Sequence, residues 1–204
     1  MSSAGSELEV KFYLSGRKAM EAKLDSVGQI IAPRVYEVNL RFDTPDLSLS
    51  ATGRLLRLRK DSRARVTYKG EGSIEGGARL RQELEFTVSD FDTARELFEA
   101  LGYRVYTMYE KYRTTYKLGN VEVVLDEIPT GDFLEIEGPD SESIRDTVNL
   151  LGLNWEARIL DSYTMLFERL RERLNLNFRD LSFENFAGMK IRPEEMGVMI
   201  ADLE

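Results

Sequence analysis

The chain has 204 residues with neither histidine nor cysteine, which excludes disulfides, thiolate nucleophiles, Cys/His zinc sites and any histidine-based triad. With 42% hydrophobic and 31% charged residues it can bury a real core as one domain, and its formal net charge of −8 argues against a general nucleic-acid binder while leaving room for a local basic pocket. No run of about 18 apolar residues is present, and MSSAGSELEV has neither a basic start nor an apolar stretch, so a cytoplasmic protein with no membrane partner is expected.

Glu7-Leu-Glu-Val-Lys-Phe-Tyr-Leu14 alternates strictly, with Glu7, Glu9 and Lys11 on one face, as a strand does. A helix is predicted over 17–27, ended by Gly28 as a left-handed cap. Val35–Phe42 reads as a strand that stops at the turn Asp43-Thr-Pro-Asp46. Residues 53–59 form another strand, with Arg57 and Arg59 sharing a face, and 64–69 a third, with Arg65, Thr67 and Lys69 aligned. Glycines 70, 72, 76 and 77 predict a loose hairpin loop. Leu80–Val88 alternates again, with Arg81, Glu83 and Glu85 together, and Ser89 or Asp90 caps a helix that Gly102 stops. Tyr103–Leu118 reads as one long strand or two broken ones, with Lys111 and Arg113 on one parity. Val121–Ile128 and Asp132–Glu137 are two more strands, a helix follows over 141–151 to Gly152, and an amphipathic helix is predicted over 156–174.

The expected architecture is therefore α+β, with about eight strands and four helices. Most connections between strands are too short for a crossover, so the sheet is antiparallel. Residues 175–204 lack a clear period and read as a segment appended to a domain over 1–174, packing on the sheet or on a partner.

One unit recurs three times: an E-x-E strand followed by a helix ending at glycine, at Glu7/Glu9 with Gly28, Glu83/Glu85 with Gly102, and Glu135/Glu137 with Gly152. Charges are segregated strand by strand, acidic at these pairs and basic at Arg57/Arg59 and Lys111/Arg113. If the sheet closes, the charged faces converge inside and the apolar faces are covered by helices. Buried charge must be paired, and a polyanion with divalent cations would pair both sets. Without histidine or cysteine, any metal is held by oxygen, which suits Mg²⁺ or Mn²⁺.

The ordered set of motifs resembles the CYTH superfamily of triphosphate tunnel metalloenzymes. E-x-E-x-K stands as Glu7-Leu-Glu-Val-Lys11, F-D-T-P-D as Phe42–Asp46, L-R-x-R as Leu56–Arg59, and T-x-K-G as Thr67–Gly70. The middle E-x-E is Glu83 and Glu85, K-x-R is Lys111 and Arg113, and the run L-D-x-x-x-x-G-x-F-x-E-x-E is Leu125, Asp126, Gly131, Phe133, Glu135 and Glu137, followed by Ser162-Tyr163. The resemblance spans about residues 7–170. It implies an eight-stranded antiparallel β-barrel, a tunnel with flanking helices, holding a triphosphate-containing small molecule along its axis. It implies Glu7, Glu9, Asp126, Glu135 and Glu137 as Mg²⁺ or Mn²⁺ ligands, with Glu83 and Glu85 either adding a second metal or pairing with tunnel arginines. Lys11, Arg57, Arg59, Lys69, Lys111 and Arg113 are implied as the phosphate-binding set, and Glu7, Glu9 and Lys11 as the catalytic group. Arg41, Arg65 and Arg81 share the parity; Glu37 and Asn39 share a face that could reach the tunnel; Tyr163 reads as a core residue with a bonded hydroxyl.

The expected activity is metal-dependent hydrolysis of a triphosphate, whether inorganic triphosphate, thiamine triphosphate or a nucleoside triphosphate. The alternatives are a class IV adenylyl cyclase, making cyclic AMP and pyrophosphate from ATP, and a non-catalytic polyphosphate or nucleotide sensor. Members of such families often pair, so a homodimer is possible; no nucleic-acid partner is expected.

Overall fold

The structure, a computed structural model, describes residues 6–202, with side chains from residue 8. Eight strands close into one antiparallel barrel in the order β1-β5-β4-β3-β2-β6-β7-β8. They are β1 (Ser6–Leu14), β2 (Gln29–Asp43), β3 (Leu55–Lys60), β4 (Ala64–Glu75), β5 (Ala78–Val88), β6 (Arg104–Leu118), β7 (Val121–Ile128) and β8 (Gly131–Gly138). Among the described residues the helices are α1 (Arg17–Val27), α2 (Ser48–Ala51), α3 (Phe91–Ala100), α4 (Ser141–Leu151), α5 (Tyr163–Leu174) and α6 (Pro193–Met196), with a 3₁₀ turn at Trp155–Ala157.

The usual sheet plan is inverted. Even-numbered residues of β1 (Leu8, Val10, Phe12, Leu14) face outward into a core with Met20 and Leu24 of α1 and Ile144, Val148 and Leu151 of α4. A second outer core joins Leu40, Phe42, Leu58 and Val66 to α3. Each fully buried large apolar side chain contributes about 1.5–3 kcal/mol, so these external layers hold the wall while its inner face stays polar. A third core seals one end of the barrel. The inward side chains of Tyr13, Tyr109 and Phe133 meet Tyr163, Leu166, Phe167 and Leu170 of α5 and Leu181, Phe186 and Met196 from the chain beyond it.

Several local expectations change. Gly28 is extended (φ −128°), not left-handed; what requires glycine there is Leu118, whose Cδ1 would lie 2.5 Å from a Cβ. Only Gly76 and Gly77, with φ +57° and +84°, make the β4–β5 turn, while Gly70 and Gly72 lie inside β4. β2 begins six residues before Val35 and passes Pro33 through register shifts against β6. The helix predicted from residue 156 starts only at Tyr163, capped by the Ser162 hydroxyl. Ile159 instead exchanges backbone hydrogen bonds with Lys11 on β1, at 3.3 and 2.7 Å. The segment from 175 to 202 is stitched to the barrel: Leu181 bonds to Met108 and Glu110 of β6, Ala201 to Tyr13, and Asp202 accepts from the Ser15 and Gly16 amides. Among the described residues, no helix is long and apolar enough to cross a membrane.

Candidate active site

Strand parity turns the charged sets into the barrel, around a cavity of about 670 Å³. The three E-x-E strands are neighbours in the wall, in the order β8-β1-β5; the basic strands β3 and β6 stand across from them with β2 between, and the third basic strand, β4, is paired beside β5. Sequence segregation thus becomes spatial segregation, an acidic wall facing a basic one. Among the described residues, twelve Lys and Arg and nine Asp and Glu line the cavity. This is a local excess of positive charge inside a chain of net charge −8.

On the acidic wall, Glu9 is registered against Glu137, and Glu137 against Glu122 of β7. Like charges directly opposed on a sheet are destabilising. Burial, reinforced by Glu122 and by Glu9 and Glu83 against the pull of Lys69, pushes the Glu137 carboxyl up to about 7. Among the described residues no three acidic side chains close into a ready-made cation site; they stand as a repelling row of hard oxygen donors. A divalent cation of the Mg²⁺ or Mn²⁺ kind is the group whose charge removes that repulsion, so the donor chemistry fits. The side chain of Glu7 lies outside the described residues; its backbone is registered against Arg81.

The cations of both walls are paired with carboxylates. Lys11 pairs with Glu135 at 2.8 Å, Lys69 with Glu83 at 2.5 Å, and Arg113 with Glu135 at 2.6 Å. Arg59 contacts Glu37 at 3.2 Å and Glu85 at 3.3 Å. Arg57 donates to Thr67 Oγ1 at 3.0 Å and to the Tyr109 hydroxyl at 3.4 Å. Burial would raise the Glu37 carboxyl, yet Lys111, Arg113, Arg59 and Arg57 together hold it down to about 2. Arg59 is itself depressed, by burial first and then by Arg57 and Arg113 beside it. Cations crowded tightly enough to oppose one another's charge form a receptor for a polyanion.

The structure therefore brings Glu9, Lys11, Arg57, Arg59, Lys69, Glu83, Glu85, Lys111, Arg113, Glu135 and Glu137 around one cavity. Asp126 stands apart: it is fully buried, is not part of the lining, and among the described residues bonds to Lys111, Arg113 and Tyr163. Sequence reading missed Glu122, whose parity with Asp126 in Val121-Glu-Val-Val-Leu-Asp126 was the available signal. It also missed Arg79, Tyr109 and Thr164 in the lining. Asn39 points inward, fully buried, with neither amide atom bonded.

A model of the CYTH domain matches residues 5–149. "Adenylate cyclase CyaB" of Aeromonas hydrophila is 28% identical over 174 residues, 80% of this chain and 89% of that protein. The solved structure of the PH1012 protein of Pyrococcus horikoshii OT3 is 30% identical and superposes with a TM-score of 0.66, covering 77% of this chain and 96% of that one. A Hippeastrum protein described as having a dominant triphosphatase activity shares the fold at 14% identity and a TM-score of 0.56, covering 71% of this chain and 84% of that one.

Proposed function

Because the chain belongs to the CYTH domain family, we propose that it is a divalent-metal-dependent phosphohydrolase acting on a triphosphate held inside the barrel. The observation that carries this reading is the facing of the two walls: an acidic row at Glu9, Glu137 and Glu122, and a surplus of cations from β3, β4 and β6 on the same cavity. A simple anion receptor needs the second alone; a metal–triphosphate complex uses both.

Glu9 and Glu137, with Glu122 adjoining, would hold the cation, which when bound supplies Lewis-acid polarisation of a phosphoryl oxygen and a more acidic water. Arg57, Arg59, Lys111 and Arg113 bind and align the phosphate chain, their donors spread around the cavity as the equatorial oxygens of phosphoryl groups require. Their fixed charge stabilises negative charge as it redistributes in the transition state, at little reorganisation cost because Glu37, Glu85 and Glu135 already hold them in place. Lys11, buried between Glu135 and the Tyr163 ring, adds a compact point charge on the acidic wall.

The test is a panel of tripolyphosphate, thiamine triphosphate and ATP with Mg²⁺ or Mn²⁺, read by product analysis. Metal-dependent phosphate release, lost in Glu9→Gln, is expected. Tight binding with no product under any pairing would sink the enzyme reading. The Aeromonas relative's name supports a second reading, in which ATP gives cyclic AMP and pyrophosphate; separating ADP, AMP and cyclic AMP in the same assay decides between the two.

A further inference from the structure

Asp126 is registered between Arg113 on β6 and Phe133 on β8. Its two oxygens take four hydrogen bonds: Arg113 Nε at 2.7 Å and Nη2 at 2.5 Å, Lys111 Nζ at 3.0 Å, and the Tyr163 hydroxyl at 2.8 Å. Three of these converge on Oδ2 and one on Oδ1, and with Asp126 fully buried and outside the lining its charge is met by two cations and a phenol instead of being presented to the lumen. Both of the cations it holds line the cavity. Each also has a second carboxylate pulling on it, Glu37 at 3.6 Å from Lys111 and Glu135 at 2.6 Å from Arg113. Where Asp126 sits therefore decides how these two cations divide their position between the buried wall and the lumen.

Of the four bonds, the Tyr163 bond is the one that comes from outside the barrel strands. Tyr163 opens α5, its ring packed edge-on against Phe133 at 5.1 Å and lying 4.5 Å below Lys11 Nζ. α5 is clamped by Leu181, Phe186 and Met196, and Leu181 bonds back to β6 at Met108 and Glu110, next to Lys111. All of these C-terminal residues lie beyond residue 149, where the match to the family model stops.

We propose that Tyr163 is a positioning residue, which by anchoring Asp126 sets Lys111 and Arg113 at the height that receives the phosphate chain, so that the C-terminal part of the protein tunes the affinity of the barrel for its anion. The proposal rests on the triphosphate reading of the cavity and assigns Asp126 to the cation cage instead of the metal.

The test compares wild type, Tyr163→Phe, Asp126→Asn and the double variant. Tripolyphosphate binding is measured by calorimetry in EDTA, where only the chain's own cations act; Mn²⁺ binding and the melting temperature are measured in parallel. Tyr163→Phe keeps the ring and the packing, so the fold survives. Losing a hydrogen bond to a charged group should weaken tripolyphosphate binding about tenfold, with Mn²⁺ affinity unchanged and KM rising more than kcat falls. In the Asp126→Asn background the phenol should matter little, a non-additivity expected only if Tyr163 acts through Asp126. Wild-type tripolyphosphate affinity in Tyr163→Phe, full additivity in the double variant, or a matching loss of Mn²⁺ affinity in Asp126→Asn would each overturn it. A wild-type protein that binds no tripolyphosphate would instead remove the reading of the cavity on which it stands.

Discussion

Glu9 stands directly across the β1–β8 pair from Glu137, with Glu122 on the far side of Glu137. Without a cation this row works against the fold, so Glu137→Gln should raise the melting temperature of the metal-free protein, by up to about 1 kcal/mol of stability. A cation that binds only the folded state stabilises it by about 2.7 kcal/mol at a hundredfold excess over Kd, and the same substitution should remove most of that gain. Thermal melts with and without Mn²⁺ test both halves; a variant less stable in EDTA than wild type contradicts the repulsion argument.

Glu37 is almost completely buried and is surrounded by Lys111, Arg113, Arg59 and Arg57. Glu37→Gln leaves those cations short of a counter-charge, and breaking a buried pair typically costs about 3–5 kcal/mol. On the triphosphate reading of the cavity, tripolyphosphate should restore much of the lost stability in the variant and do proportionally less for wild type. Equal stabilisation of the two proteins by the anion in a denaturant titration would mean that the cage does not share its charge with the ligand.

Asp43 closes the end of β2 onto α2. It accepts from the amides of Thr44, Leu49 and Ser50 at 2.8, 2.9 and 2.9 Å and from the Ser50 hydroxyl at 2.5 Å. Burial alone would raise its pKa, but these bonds outweigh it and hold the carboxyl below its ordinary value. A depressed carboxyl lends stability that is complete above the unfolded pKa, about 3.9, and that fades as pH falls through the folded value. Asp43→Asn should lower stability at pH 7 by about 2–3 kcal/mol and flatten the acid limb below about pH 4. Urea midpoints across pH 3–7 that run parallel in the two proteins would refute this.

How much of this was legible beforehand follows from which signals are local. Period-two alternation put Glu9 and Lys11, Arg57 and Arg59, and Lys111 and Arg113 on common faces, because parity is a property of neighbouring residues alone. Barrel closure came from the resemblance to the CYTH superfamily, and the adjacency of β8, β1 and β5 followed from no single strand. Glu122 escaped because Val123 and Val124 break the alternation of β7 between it and Asp126. The first six residues of β2 were hidden by Pro33 and the register shifts around it. Helix α5 was overextended because Ile159 and Leu160 continue its apolar spacing, although Ile159 is bonded to Lys11 as a strand. Residues beyond 174 show no period because they touch the barrel through separate anchors, Leu181 on β6 and Ala201 on β1, and anchors carry no repeat. Asp126 and Glu137 look alike in sequence, and only their neighbours in space separate a buried carboxylate matched by two cations from one pushed up to about 7.

Gly131 in the β7–β8 turn gives the last prediction. Its φ is +140°, a region that side chains rarely adopt, and a Cβ there would stand 2.6 Å from Tyr13 Cε2 and 2.9 Å from its hydroxyl. Tyr13 cannot yield freely, since its ring is set edge-on against Phe133 at 5.2 Å, inside the core that seals the barrel under α5. Overpacking a core costs about 1–3 kcal/mol, and the backbone conformation adds to it, so Gly131→Ala should destabilise the protein by more than about 2 kcal/mol. The damage should reach the cavity, because Phe133 bears on Tyr163 and Tyr163 on Asp126. Tripolyphosphate affinity should fall together with stability in Gly131→Ala, and the double variant Gly131→Ala/Tyr13→Phe should recover little, since the ring carbon Cε2 remains. Full recovery of both stability and anion binding in that double variant would show that the Tyr13 hydroxyl, and not the ring, is what glycine avoids.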